Sequence, residues 1–263
     1  MSTPTFPAPS VVVATLRAAG CVFAEDEAEL LISAADTPDA LDAMVRRRVA
    51  GLPLEHVLGW AEFCGLRIAL EPGVFVPRRR SEFLAGEAIA VAARMAPPVP
   101  VVDLCCGSGA LATVLTAQVV GVRPFAADID PVAVRCARAN LPAERVFEGD
   151  LYEPLPAWLR GQVAVLVTNA PYVPTAEVGL MPAEARLHEA RIALDGGPDG
   201  LDVQRRVIAQ APEWLAPGGT LLIETSERQA EGTATAATAA GLTARIRTAP
   251  DLDATVVLAT FRP

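Results

Sequence analysis

The sequence predicts an α/β fold built on a parallel sheet covered on both faces. Apolar strand-like runs recur at residues 99–102, 124–127, 163–167 and 220–223, and helix-like stretches beginning at Ala110, Val132, Asp202 and Gln229 alternate with them. Two β-rich segments close together, 243–248 and 254–261, predict an antiparallel hairpin at the sheet edge. A chain of 263 residues accommodates one such domain and a smaller appendage.

The appendage comes first. Residues 11–58 interleave alanine, leucine and charged residues with little β-branched clustering, which is a helical pattern. Thr37-Pro38 reads as an N-cap followed by proline at the first helical position, opening a helix through Val49 that Gly51-Leu52-Pro53 ends. Pro4, Pro7 and Pro9 mark the N-terminus as the one stretch expected to be disordered. Residues 63–70 and 74–76 flank Glu71-Pro72-Gly73, predicting a hairpin or a pair of extended segments around that turn. A helix over 81–95 then leads to the boundary Pro97-Pro98. The expected organisation is a helical domain over 1–60, a β-hairpin linker over 61–80 and an α/β domain over 81–263.

Composition removes several classes of function. The mean hydropathy of +0.34 raises the question of a membrane span. The best candidate, 104–122, contains Gly107, Ser108, Gly109, Gln118 and Gly121 and follows Asp103 directly, so it reads as a buried strand, loop and helix. No basic start, apolar run and small-residue cleavage site occur together, and no secretory signal is expected. The five cysteines are odd in number and lack paired metal-ligand spacing. Free thiols in a reducing cytoplasm are therefore expected, with no metal. A net charge of -9 argues against an extended polyanion such as nucleic acid, although Arg46 to Arg48 and Arg78 to Arg80 form local basic clusters.

The segment Val101-Val102-Asp103-Leu104-Cys105-Cys106-Gly107-Ser108-Gly109 follows a strand and opens a helix. Glycines there permit a sharp turn and close approach of backbone to a ligand, and a helix N-terminus presents unpaired N–H groups. Asp128 ends the next strand, where an acid suits the two hydroxyls of a ribose. A Gly-x-Gly loop alone is equally an ordinary tight turn; loop, strand and acid together point to a nucleoside. The spacing is neither the G-x-G-x-x-G of dinucleotide folds nor a P-loop. Asp150, at a third strand end, suits the adenine amine, and on local grounds reads as well as a helix N-cap or turn aspartate.

The apolar run 163–167 ends in Thr168 and then Asn169-Ala170-Pro171-Tyr172. In an open α/β sheet ligands sit outside the carboxyl ends of the strands, so this loop projects where the cofactor loop does. An amide nitrogen is a poor nucleophile because its lone pair is delocalised into the carbonyl. The Asn169 side-chain oxygen can accept one N–H and a loop carbonyl the other, which aligns the lone pair for attack. Pro171 fixes the turn, and Tyr172 offers a face for a planar group.

With these residues in place, the chain resembles the HemK/PrmC family of protein glutamine N5-methyltransferases, class I enzymes that modify the GGQ motif of peptide release factors. Asn169 to Tyr172 is similar to the family's N-P-P-Y, and Asp103 to Gly109 to its D-L-G-T-G-S-G. Gly51-Leu52-Pro53-Leu54 with Gly59, Glu62-Phe63 and Gly65-Leu66 resembles a further family segment, as do Val76-Pro77-Arg78 with Glu82 and Ala127-Asp128-Ile129 with Pro131 and Asn140. Glu189, Ala193 to Gly197, Asp199 to Leu201, Leu215 to Gly219, Glu224 and Gln229 extend the similarity to most of the chain.

The resemblance implies a class I S-adenosylmethionine methyltransferase fold: Rossmann-like, with a mostly parallel seven-stranded sheet, a C-terminal antiparallel hairpin and a small N-terminal helical domain. It implies S-adenosyl-L-methionine as cofactor, held by Asp103, Cys105, Cys106, Gly107, Ser108, Gly109, Asp128, Ile129, Asp150 and Asn169. It implies catalysis by Asn169, Ala170, Pro171 and Tyr172 on a protein substrate, a release factor or a related target, by a cytoplasmic monomer.

Three departures qualify the substrate. Ala170 replaces the first proline of N-P-P-Y, though preceding Pro171 still biases it toward extended geometry. Cys105 replaces a loop glycine, where a side chain disfavours positive φ. Arg79-Arg80-Ser81 stands where the family has P-E-T, reversing a charge near the expected substrate mouth. A small-molecule or peptide acceptor, adenine in nucleic acid, or a cofactor-binding module without turnover are the competing readings. His188 with Glu189 reads as a solvated helix face, as do Arg46 to Arg48, and His56 as a packed structural residue.

Overall fold

A computed structural model describes residues 6–262. The N-terminal part is four helices, α1 (Pro9–Ala18), α2 (Ala24–Ala34), α3 (Pro38–Val49) and α4 (Leu54–Leu58). Thr37 caps α3 as expected, its hydroxyl accepting the Ala40 N–H at 3.1 Å with Pro38 in the first turn. Val12, Leu16, Leu31, Leu41, Val45 and Val57 form a core of their own between these helices. Pro9 opens α1, so the expected disorder does not reach it; a proline missing its N–H costs nothing in the first turn. Pro4 lies outside the described residues.

A two-stranded hairpin follows, β1 (Trp60–Phe63) and β2 (Leu66–Ala69). Its turn is Cys64-Gly65, both in the left-handed region (φ 50° and 74°), and not Glu71-Pro72-Gly73 as the sequence suggested. The Pro72-Gly73 bend instead leads the chain to the cavity, where Gly73 forms an isolated parallel bridge with Glu189.

The α/β part follows with α5 (Ser81–Ala92) and then alternates β3 (Val99–Leu104), α6 (Ala110–Gln118), β4 (Val122–Asp128), α7 (Pro131–Asn140), β5 (Val146–Glu148) and β6 (Val163–Thr168). After a short helix, α8 (Ala183–His188), come α9 (Asp202–Trp214), β7 (Leu215–Thr225), α10 (Glu227–Ala239), β8 (Leu242–Ala249) and β9 (Ala254–Phe261). The seven strands lie in the order β5-β4-β3-β6-β7-β9-β8. The first five are parallel, and the β8–β9 hairpin adds antiparallel through β9 against β7.

Both sheet faces are covered, which explains the near-continuous apolar strands. Val102, Leu104 and Leu166 pack under α9 and α10 with Ile208 and Trp214. Val99, Val101, Val165 and Val167 pack under α5 and α6 with Leu84 and Leu115. The consequence for function is at the centre. The strand order reverses between β3 and β6, which are neighbours paired Leu104 to Thr168. A crevice at the carboxyl ends of the strands opens there, at the topological switch point.

Candidate active site

Four short segments meet at that crevice. The loop after β3 turns at Gly107 (φ 55°) and enters α6 through Gly109 (φ 74°), where a Cβ would come within 2.9 Å of the Leu141 side chain. Gly107 faces open space in the cavity, so its missing side chain leaves room for a ligand along the backbone. Cys105 does hold a positive φ, 54°, against the expectation from its side chain. Cys105 is half-buried and packs against the core cluster that includes Leu104 and Leu151, a contact that offsets the backbone strain.

Asp128 is the hinge between this loop and the next strand. One carboxylate oxygen accepts the Gly107 N–H at 2.8 Å and the other the Asp130 N–H at 2.9 Å. Burial pushes its carboxyl up, while the Asp130 and Gly107 amides pull it back toward ionisation. Asp103 lies beneath, 1% exposed, one oxygen accepting the Ala112 N–H and the other without a partner. Burial raises its carboxyl well above the usual range.

Of the residues expected to hold a cofactor, Cys105, Cys106, Gly107, Ser108, Asp128, Ile129, Asp150 and Asn169 line one cavity. Asp103 and Gly109 support it from behind. Asp150 does not cap a helix; it pairs with Arg206 of α9, which also lines the cavity. Leu151 and Val203 complete an apolar wall beside Ile129 and Asp150.

On the opposite bank, β6 delivers the Asn169 loop. Thr168 donates its hydroxyl to the Leu104 carbonyl at 2.7 Å, tying the two strand ends together. The loop then rests on Gly196 and Gly200, where a Cβ would come within 2.6 Å of the Pro171 carbonyl and 2.2 Å of the Tyr172 carbonyl. Gln229 reaches from α10 and donates to the Tyr172 carbonyl at 2.9 Å. Close backbone packing accounts for both glycines, and a buried amide donor for the glutamine. Asn169 donates Nδ2 to the buried Ser81 hydroxyl at 3.2 Å.

The four predicted catalytic residues do not share one role. Asn169 and Pro171 line the cavity; Ala170 is buried behind them. Tyr172 is half-buried, and its hydroxyl donates to Glu224 at 3.2 Å.

The roof was not read from sequence. Phe75 and Pro77 line the cavity from one side, Ala190 and Ile192 from the other. Glu189 joins them: it accepts the Val76 N–H at 3.2 Å and two bonds from Arg78 at 2.6 and 2.7 Å. Glu189 is therefore a buried, paired carboxylate, not a solvated helix residue. Arg48 is likewise not on a solvated face. It is mostly buried between Glu27 of α2 and Glu184 of α8, tying the helical module to the roof. His56 is packed as expected, its Nε2–H donating to the Val74 carbonyl at 2.8 Å.

All five cysteines are free, and burial is the first cause raising every thiol, Cys64 to about 11. Thiolate is the reactive form, so alkylation at pH 7.5 is expected to be slow at Cys105 and Cys106 despite their place on the cavity wall. Mass spectrometry after timed iodoacetamide treatment checks this. Fast labelling of either residue would show the loop to be open.

An acid at each of two adjacent strand tips, a glycine cradle on a helix N-terminus and an apolar wall suit a nucleoside carrying a charged tail. That donor set on this strand order defines an S-adenosylmethionine-dependent methyltransferase. A family model described as methyltransferase small domain matches residues 66–200. The release factor glutamine methyltransferase of Geobacter sulfurreducens is 39% identical over 73% of this chain and 67% of its own length. The 4-amino-L-phenylalanine/4-methylamino-L-phenylalanine methyltransferase of Streptomyces pristinaespiralis is 38% identical over 68% of this chain and 63% of its own. Among solved structures, a methyltransferase from Pyrococcus furiosus shares the fold over 84% of this chain and 97% of its own, with a TM-score of 0.56 at 14% identity. The chain belongs to the release factor glutamine methyltransferase family. Among the described residues no helix is long and apolar enough to cross a membrane.

Proposed function

We propose that this chain methylates a glutamine side-chain amide in a protein, the GGQ glutamine of a peptide release factor being the first candidate. The observation that carries the reading is the fixed orientation of Asn169. Because Nδ2 is committed to Ser81, Oδ1 is the side-chain atom free to accept an N–H from the acceptor. A second acceptor is needed for the other N–H. The Tyr172 carbonyl takes Gln229, so the other acceptor falls to the remaining carbonyls of the loop, that of Ala170 among them. Replacing the family's proline by Ala170 keeps that oxygen.

When bound, S-adenosylmethionine supplies an electrophilic methyl on a sulfonium. In this assignment Asp128 accepts the ribose hydroxyls, Asp150 the adenine amine, and the amides after Cys105 face the methionine end. The chain's contribution to the step is orientation. Two acceptors hold the amide so that its nitrogen lone pair points along the cofactor arm of the cavity, and the methylated nitrogen then loses its extra proton to solvent. No strong base is required.

Incubation with purified release factor and cofactor, followed by mass spectrometry of the GGQ peptide, tests the assignment. A gain of one methyl on that glutamine is expected. A chain that binds cofactor yet leaves the glutamine unmodified would point to the second reading, an aromatic amine acceptor, which the similarity to the aminophenylalanine methyltransferase favours. Assay with 4-aminophenylalanine separates the two.

A further inference from the structure

An ion pair sits on the wall of the cavity itself. Arg206 Nη2 donates to Oδ2 of Asp150, and both residues line the space. Arg206 comes from α9; Val203, three residues earlier and so on the same helix face, lines the cavity too. Asp150 lies just past β5, 56 residues before its partner, so this contact joins two walls that are distant in the chain. Leu151, next to Asp150, is buried and holds a left-handed backbone (φ 50°), which a non-glycine residue keeps only where its surroundings fix it. The backbone beside Asp150 is thus set by packing, whereas its side chain is set by Arg206. Among the described residues no other donor hydrogen-bonds the Asp150 carboxylate, and no other acceptor the Arg206 guanidinium.

Stability does not account for the pair. The Arg206 side chain is 52% exposed and that of Asp150 32%, and an ion pair so open to water adds little to folding, because solvent screens it and both side chains must be ordered to form it. Its effect is on direction. A carboxylate only accepts, and with Oδ2 taken by Arg206, Oδ1 is the atom left for a donor in the cavity. Without that partner the carboxylate can rotate, and a ligand must then order it on binding. The arrangement favours a base that carries an exocyclic N–H at this wall over one that does not.

We propose that Arg206 is a positioning residue for cofactor recognition, holding Asp150 so that Oδ1 meets the exocyclic amine of the adenine. This rests on the reading of Asp150 as the acceptor of that amine.

The test is calorimetry with S-adenosylhomocysteine and with its analogue bearing hydrogen in place of the 6-amino group, in wild type, Arg206→Met, Asp150→Ala and the double variant. Wild type is expected to prefer the amine-bearing ligand by about 10- to 100-fold, the worth of one hydrogen bond to a charged group. Arg206→Met should cut that preference by about three- to tenfold, as expected when a side chain must be ordered on binding, and should do so by weakening the amine-bearing ligand. Asp150→Ala should abolish the preference, and adding Arg206→Met to it should change the preference no further. An Arg206→Met variant that weakens both ligands equally would make Arg206 a wall residue alone, and one that leaves both unchanged would make the pair idle; either overturns the proposal. So would an Arg206→Met effect as large in the Asp150→Ala background as in wild type, since Arg206 would then act on the base without Asp150. The two readings fail differently. If Asp150→Ala keeps the preference, the adenine assignment of Asp150 falls and this proposal with it. If Asp150→Ala abolishes the preference and Arg206→Met preserves it, this proposal falls alone.

Discussion

Asn169→Ala is expected to reduce methyl transfer by about 10²–10³-fold while leaving cofactor affinity within a few-fold, since a misplaced or unsupported reacting group costs on that order. The loss corresponds to about 3–4 kcal/mol of transition-state stabilisation. In the proposed assignment the side chain supplies one of the two acceptors for the amide N–H groups, and no other side chain on the cavity wall takes its place. Ser81 also lines the cavity, but its hydroxyl is the partner of Asn169 Nδ2, and Ala170 offers only its carbonyl. The fold should survive. The loop remains anchored through the Tyr172 carbonyl to Gln229 and through Gly196 and Gly200, none of which involve the Asn169 side chain. Single-turnover transfer with preloaded cofactor, together with calorimetric cofactor binding, separates the two effects. A variant that keeps its transfer rate would remove Asn169 from the reaction. One that loses cofactor binding as well would place it chiefly at the cofactor.

How much of this was legible beforehand follows from the range of each interaction. The cofactor loop and the helix starts at Ala110, Val132 and Asp202 were readable because their signals are local: glycine where the backbone turns, an acid at a strand tip, a proline in a first turn. The hairpin turn was misplaced for the same reason. Pro72-Gly73 is a stronger turn signal than Cys64-Gly65, and nothing local announces that Cys64 accepts a left-handed backbone. Pairings across the chain were invisible. Glu189 meets Arg78 from 111 residues away, and Arg48 meets Glu184 from 136, so both looked like solvated charges. Glu224 was recognised only as part of a motif. Its burial against Arg80 and Tyr172 depends on β7 lying beside β6, which the order of strands in the chain does not state. Tyr172 shows the limit most clearly. Its place in the motif suggested a platform for substrate, and no local signal announces that its hydroxyl also meets Glu224, 52 residues on.

Asp128→Asn is expected to weaken S-adenosylmethionine binding by about 10- to 100-fold, given about 1.5–3 kcal/mol for a hydrogen bond to a charged group. The carboxylate has two tasks, and asparagine fails one of them in either orientation. Each oxygen already accepts a backbone N–H, from Gly107 and from Asp130, while its remaining lone pairs face the cavity. An amide NH2 at either position sets donor against donor, so one loop N–H goes unpaired and one ribose hydroxyl loses its acceptor. The same logic fixes the sign of the pH dependence. Burial raises the Asp128 carboxyl in the folded protein, and only its ionised form accepts on both sides. Cofactor affinity should therefore hold at neutral pH and decline as pH falls through that raised value, sooner than for an exposed aspartate. Asp128→Asn has nothing to titrate there, and its weaker affinity should not change over the same interval. Calorimetry at a series of pH values distinguishes the cases. An asparagine variant that binds as tightly as wild type would assign the ribose to another residue. A wild-type affinity that does not change with acid would mean that the cofactor's hydroxyls leave the Asp128 charge untouched.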